Sequence, residues 1–196
     1  MANTARIKGA VPVRHLNGSS YNGQANIYEV PAGETVAVFK GDFVIASNSA
    51  GTDVYPVAES IAGSGEVTSG LVLGVCVGFV LDFTQLNTPQ YRAASTKRFI
   101  YVVDAPDVIF QLTDGATVAT PLASVGLNTG IQATAGNTTS GTSGHTTGVT
   151  AATTTNSLPL KIIQIVNRPD VASAAANQEL LVLINQHYYM GGQTAT

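Results

Sequence analysis

Ser69-Gly-Leu-Val-Leu-Gly-Val-Cys-Val-Gly-Phe-Val80 decides the fold. From Leu71 to Leu81 the run is apolar on both faces and is broken only by Gly74 and Gly78. Glycines at 70, 74 and 78 recur every four residues, which on a helix would make a small-residue packing face. Valine is abundant here, and glycine is costly inside a soluble helix. In a strand, glycine marks a bulge or a close backbone approach. The spacing therefore predicts a central strand, apolar on both sides.

The flanking sequence repeats that reading with shorter runs. Upstream lie Ile27-Tyr-Glu-Val30, Thr35-Val-Ala-Val-Phe39, Asp42-Phe-Val-Ile-Ala46 and Asp53 to Ala58. Turns at Pro31-Ala-Gly33, Lys40-Gly41 and Ser47 to Gly51 separate them. β-branched and aromatic residues suit a pleated, half-buried surface, and Gly or Pro closes each run. Downstream, Phe99 to Val103 and Val108 to Leu112 are strands joined by a tight turn at Asp104-Ala-Pro-Asp107. Leu158 to Val166 and Glu179 to Asn185 are two more, sharing a sheet, with a turn at Asn167 to Asp170 and an alanine-rich link between them. Pro121 to Asn128 suits a helical turn, and Gln85 to Arg98 reads as polar and irregular.

The expected fold is all-β, a β-barrel or sandwich with room for a second small β subdomain. Residues 1–24, rich in glycine and asparagine, read as an extended N-terminal arm. Residues 25–80 read as a small barrel-like unit, 81–190 as a second β unit, and 191–196 as a tail. Residues 133–157 carry no charge and little that is large enough to bury. Such a tract offsets its ordering entropy poorly, so it reads as a surface loop. Its threonines favour the alternative, edge strands ordered against a neighbouring subunit.

Composition narrows the function. Only 11% of the residues are charged, against about 25% in ordinary soluble domains. A net charge of −3 with scattered Lys and Arg supplies no track for phosphates, so no nucleic acid partner is expected. No stretch is long enough to span a bilayer, and no apolar segment follows Arg6 and Lys8 as a secretory signal requires. Neither a membrane partner nor export is expected. The single Cys76 cannot pair within the chain and lies in the most apolar run, where burial makes a thiol inert.

Chemistry is sparse. His15, His145 and His187 lack a second ligand at zinc-compatible spacing. Asp104, Asp107 and Asp114 sit at turn signals, no nucleophile elbow occurs, and the glycines from 136 to 148 lack the lysine of a phosphate loop. No metal, cofactor or catalytic residue is expected. The residues worth weighing as contacts with a partner or between subunits are Arg14, Tyr21, Arg92, Lys97, Arg98, Arg168, His187, Tyr188 and Tyr189. In a chain this poor in charge, a cation can fix register across an interface, and tyrosine is a frequent anchor.

Several segments also carry a resemblance. Pro31-Ala-Gly-Glu-Thr35, Lys40 to Ala46 and Gly70 to Val75 resemble the small β-barrel head decoration proteins of tailed bacteriophages. A second series comprises Tyr91-Arg92, Tyr101 to Phe110, Val125 to Asn128, Leu158 to Ile163, Val166 to Asp170 and Leu183 to His187. It is similar to virion structural proteins encoded beside major capsid proteins in podovirus-like phages. The likeness runs from about Val30 to His187. It implies a cement protein on the capsid exterior, made in the host cytoplasm, with the major capsid protein and copies of itself, as dimer or trimer, for partners. A head-to-tail connector or fibre component is the alternative. A carbohydrate-binding β module is more remote: it would show exposed aromatics on one strand face, and Trp is absent.

Overall fold

The computed structural model describes residues 6–47, 51, 54–61, 65–83, 87–115, 120–166 and 176–190. Thirteen strands occur among them: β1 (Val11–His15), β2 (Asn26–Val30), β3 (Phe43–Ala46), β4 (Ala58–Ser60), β5 (Gly65–Val67), β6 (Gly74–Phe79), β7 (Arg98–Val103), β8 (Val108–Thr113), β9 (Asn128–Thr129), β10 (Ile131–Ala133), β11 (Thr146–Thr147), β12 (Leu160–Ile165) and β13 (Glu179–Ile184). The helical signal at Pro121 is one 3₁₀ turn, Leu122–Ser124. The fold is all-β and sandwich-like.

Three antiparallel sheets form, in the orders β1-β8-β13-β12-β9, β2-β7-β6-β3-β4 and β11-β10-β5. The β2-to-β4 sheet curls until its edges meet at a single bridge, Glu29 to Val57, where Glu29 N–H donates to Pro56 O at 2.9 Å. One bridge does not make a closed barrel.

β6 shows why its sequence is apolar on both faces. Val75, with Phe43 of β3, faces the main core, where it joins Phe110, Leu160 and Leu180 from the opposite sheet. Cys76 and Val44 face the other way, into a second cluster inside the curl with Tyr28, Ile100 and Val102. Alternation along a strand sends neighbours to opposite faces, so a strand between two cores is apolar throughout. A Cβ on Gly74 would lie 2.2 Å from the Val103 carbonyl oxygen, so only glycine lets β6 approach β7 there. The register shifts between Cys76 and Gly78, the bulge that glycine predicted.

Several expectations need correction. The segment read as an arm supplies β1, which pairs with β8, and Ala10 is buried in the main core. Pro12 obscured this strand; it lies beside a register shift on an edge, where the ladder tolerates proline. The boundary at residue 80 does not divide the packing, because β7 lies between β2 and β6, and the main core draws residues from both sides. Thr35 to Phe39 is irregular, with only a bridge between Val38 and Arg92. The strand expected at 53–58 begins instead at Ala58.

The Thr/Gly tract is folded into the same chain. β11 pairs with β10, Thr142 bridges Lys40, and Ser143, His145, Thr146 and Thr147 are buried. Polar contacts order it: Thr147 Oγ1 donates to Asp114 Oδ1 at 3.1 Å, and Thr150 N–H reaches the Glu66 carboxylate. The turn and alanine-rich link at 167–175 and the tail at 191–196 lie outside the described residues.

Candidate interaction surface

The contact candidates separate into buried and exposed groups. Arg92 is fully buried, and its guanidinium donates to four backbone carbonyls, those of Thr96, Val36, Pro31 and Glu34, at 2.6–2.8 Å. Five N–H donors in a rigid fork suit this work. Arg92 therefore pins the irregular 31–38 segment and is no contact residue. His187 is buried as well, because Val72 N–H donates to Gln186 O and Tyr188 N–H to Val72 O, drawing the 186–188 segment onto the sheet. Its Nδ1 accepts the Tyr189 N–H at 3.1 Å, and burial lowers its affinity for a proton, with Asp104 opposing.

Tyr188 is half-buried against the inner cluster and lines an apolar groove with Ile45, Ile61, Val67 and Leu71. Arg14 and Tyr21 lie around β1, where Arg14 bridges Ser20 and Tyr21 packs on the main core. Arg168 lies outside the described residues. Lys97 lies with Phe99 on the outer face of β2 and β7, whereas Arg98 opposes Val30 on the inner-cluster side and Tyr189 meets Tyr28 of that cluster at the far end of the strand pair.

That face is built by register. Ile27 opposes Tyr101, and Glu29 opposes Phe99. The Glu29–Pro56 hydrogen bond lays the 55–57 segment alongside, so the Tyr55 ring meets Phe99 edge-on at 5.3 Å. Lys97 Nζ lies 5.2 Å from the Phe99 centroid and 3.7 Å from Glu29 Oε1. Arg98 sits 4.7 Å over the Phe79 ring and donates to the Pro89 and Tyr91 carbonyls. Its charge is largely committed to holding the 89–91 loop. Beyond these cations, Leu81 and Phe83 stand 69% and 83% exposed, edging a groove of about 440 Å³.

At the other end of the β2–β7 pair an open cleft of about 780 Å³ is lined by Asn26, Tyr28, Tyr55, Asp104 and Tyr189. Asn26 Nδ2 donates to both Asp104 oxygens at 2.9 and 3.0 Å, and Tyr28 OH donates to Asp104 Oδ2 at 2.7 Å. Tyr28 and Tyr189 hydroxyls lie 2.9 Å apart. Burial, with Tyr189 and Asp104 beside it, pushes the Tyr28 phenol up, so it keeps its proton.

A third polar group is internal. Phe43 N–H donates to His145 Nδ1 at 3.2 Å, His145 Nε2 faces Asp42 Oδ1 at 3.6 Å, and Ser143 Oγ accepts the His145 backbone N–H at 2.9 Å. Burial pushes Asp42 up and His145 down, each opposed by the other. The residue types are those of a hydrolase triad, but His145 Nδ1 is taken by the Phe43 N–H, the Ser143 side chain bonds Asp42, and all three residues are buried. The group is a structural strut. Cys76 is buried and its thiol is pushed up by burial, with Asp42 adding to the effect. Among the described residues no three His, Cys, Asp or Glu side chains gather as a metal site would require. Among them no helix is long and apolar enough to cross a membrane.

Sequence reasoning missed Asp104, which read as a turn residue, and Leu81 and Phe83. The legible signal for the last two was an apolar alternation, Leu81-Asp-Phe83, continuing past the strand end. Asn26, Tyr55 and Asp104 meet only through long-range pairing, which leaves no local signal. Comparison with family models, curated proteins and solved structures finds no match.

Proposed function

We propose that this protein is a structural component of a tailed-phage virion that binds the capsid exterior in many copies and reinforces the shell. The observation that carries the reading is the Leu81–Phe83 ridge, two large apolar side chains held out in a chain that is only 11% charged. Burying such a side chain contributes about 1.5–3 kcal/mol. Docking and ordering consume much of that gain, so one copy adheres weakly. Many copies joined across neighbouring capsid proteins raise the effective concentration of each contact and hold firmly. The resemblance of the segments between Val30 and His187 to decoration proteins points the same way, and the main partner is then the major capsid protein.

Quantitative mass spectrometry of purified particles tests this. Copies in the hundreds per particle support a cement role. A dozen or fewer favour a connector or fibre component, and none removes both.

A further inference from the structure

The cleft around Asp104 carries a second inference, independent of the capsid reading. Its hydrogen-bond directions follow from counting protons. Tyr28 has one hydroxyl proton and gives it to Asp104 Oδ2, so Tyr189 OH must donate to the Tyr28 oxygen. The relay Tyr189 to Tyr28 to Asp104 leaves the Tyr189 oxygen with acceptor capacity only. Asn26 gives its Nδ2 to Asp104 and has its Oδ1 still to offer. A carboxylate has about four acceptor positions. Oδ2 takes two donors and Oδ1 one, so one position on Oδ1 is open.

The cleft thus presents mainly acceptors, set between two phenol rings that are 53% and 41% exposed, Tyr189 and Tyr55. Ile27 and Pro56 form apolar floor between them. Among the described residues no lysine or arginine lines it, so a phosphate or other anion finds no counter-charge there. A guanidinium fork needs both carboxylate oxygens open together, and Oδ2 is occupied. A ligand that matches has many hydroxyl donors and flat C–H faces to lay on aromatic rings, which describes a sugar. The open, shallow form suits a chain of such units better than one enclosed molecule.

We propose that the Asn26, Tyr28, Tyr55, Asp104 and Tyr189 cleft binds a neutral polysaccharide, with Tyr189 and Tyr55 stacking on sugar rings and Asp104, Asn26 and Tyr189 accepting hydroxyl protons. This supplies the exposed aromatic face that the absence of tryptophan argued against: tyrosine serves instead.

The test is titration calorimetry and saturation-transfer NMR of the whole protein with maltohexaose, cellohexaose, mannohexaose and chitohexaose, backed by an array of bacterial surface glycans. At least one neutral glycan binds with Kd of about 1 mM or tighter. Tyr189→Ala and Tyr55→Ala each weaken it about tenfold by loss of stacking. Asp104→Asn weakens it too, and Tyr189→Phe less than Tyr189→Ala. Thermal melts of the exposed Tyr189 and Tyr55 variants match the parent, so a fault in folding is separable from lost binding. Absence of binding to every glycan, binding that ignores the Tyr189 and Tyr55 variants, or binding only to a tetra-arginine peptide overturns the proposal.

Discussion

Strand β13 and the 141–148 segment are both largely buried, yet they are ordered by opposite means. β13 buries Leu180, Val182 and Ile184 between β8 and β12, so apolar burial offsets the entropy of fixing it. The 141–148 segment has almost no such side chains. It is fixed by Lys40, whose backbone N–H donates to Gly141 O and whose carbonyl accepts Ser143 N–H, and by the Asp42 and Asp114 carboxylates. Apolar order is local in cause, because a strand carries its own burial. Polar order is borrowed from distant partners, and it fails when one of them is removed.

That contrast is sharpest at Arg92. Replacing it with leucine removes a donor from four carbonyls; those of Pro31 and Glu34 keep the Glu34 and Ser95 N–H groups, while those of Val36 and Thr96 lose their partner at about 1–3 kcal/mol each, so we expect a loss of about 2–6 kcal/mol. Leu180→Ala should cost about 2–5 kcal/mol by leaving a cavity. Denaturant titration of both variants decides the matter. A smaller loss for Arg92→Leu than for Leu180→Ala would mean that the polar segments merely rest on an apolar frame.

An intermediate effect is expected from His145. Its folded-state proton affinity is depressed from the ordinary 6.5, and protonation of Nδ1 must also break the bond from Phe43 N–H. The unfolded chain therefore takes up a proton that the folded chain refuses. His145's contribution is fully present above pH 6.5 and is lost as pH falls from there towards the depressed folded value. Asp42 runs the other way, since its raised value relieves a burial cost on the acid side. His187 shares the direction of His145. His145→Gln, which keeps an acceptor for Phe43 N–H, should flatten the fall in melting temperature between about pH 7 and pH 5 without abolishing it. An unchanged slope would assign the acid sensitivity elsewhere.

The smallest effect on stability should come from the ridge. Leu81→Ser with Phe83→Ser should shift the melting midpoint by no more than about 0.5 kcal/mol equivalent, as for other exposed positions. The same pair should reduce co-sedimentation with phage heads that lack this protein. A large loss of stability would place the two side chains in the frame.

The legible and illegible parts of the sequence divide along the same line. Ser69 to Val80, Phe99 to Val103, Leu158 to Val166 and Glu179 to Asn185 could be read because each run shows its own burial pattern. β1 was hidden by Pro12 and its neighbouring glycines, although Val11 and Val13 alternate as a strand should. His145 gave no sign of burial, since Asp42 and Phe43, which hold it, lie about a hundred positions away. Lys97 and Tyr189 could be picked as exposed candidates from residue type alone. The cleft that Tyr189 lines could not, because Asn26 and Asp104 are 78 positions apart and meet only when β2 pairs with β7.

The position of β13 bears on how the chain is made. Residues 179–184 follow every other strand of their sheet in the sequence, yet they occupy its centre, between β8 and β12. Until they leave the ribosome, those two neighbours present bare hydrogen-bonding edges and apolar faces, and the sheet cannot close. Long-range closure of this kind is slow, and an open edge invites pairing with another nascent chain. Efficient folding during synthesis then favours rapid emergence of this strand or a chaperone that shields β8 and β12 meanwhile.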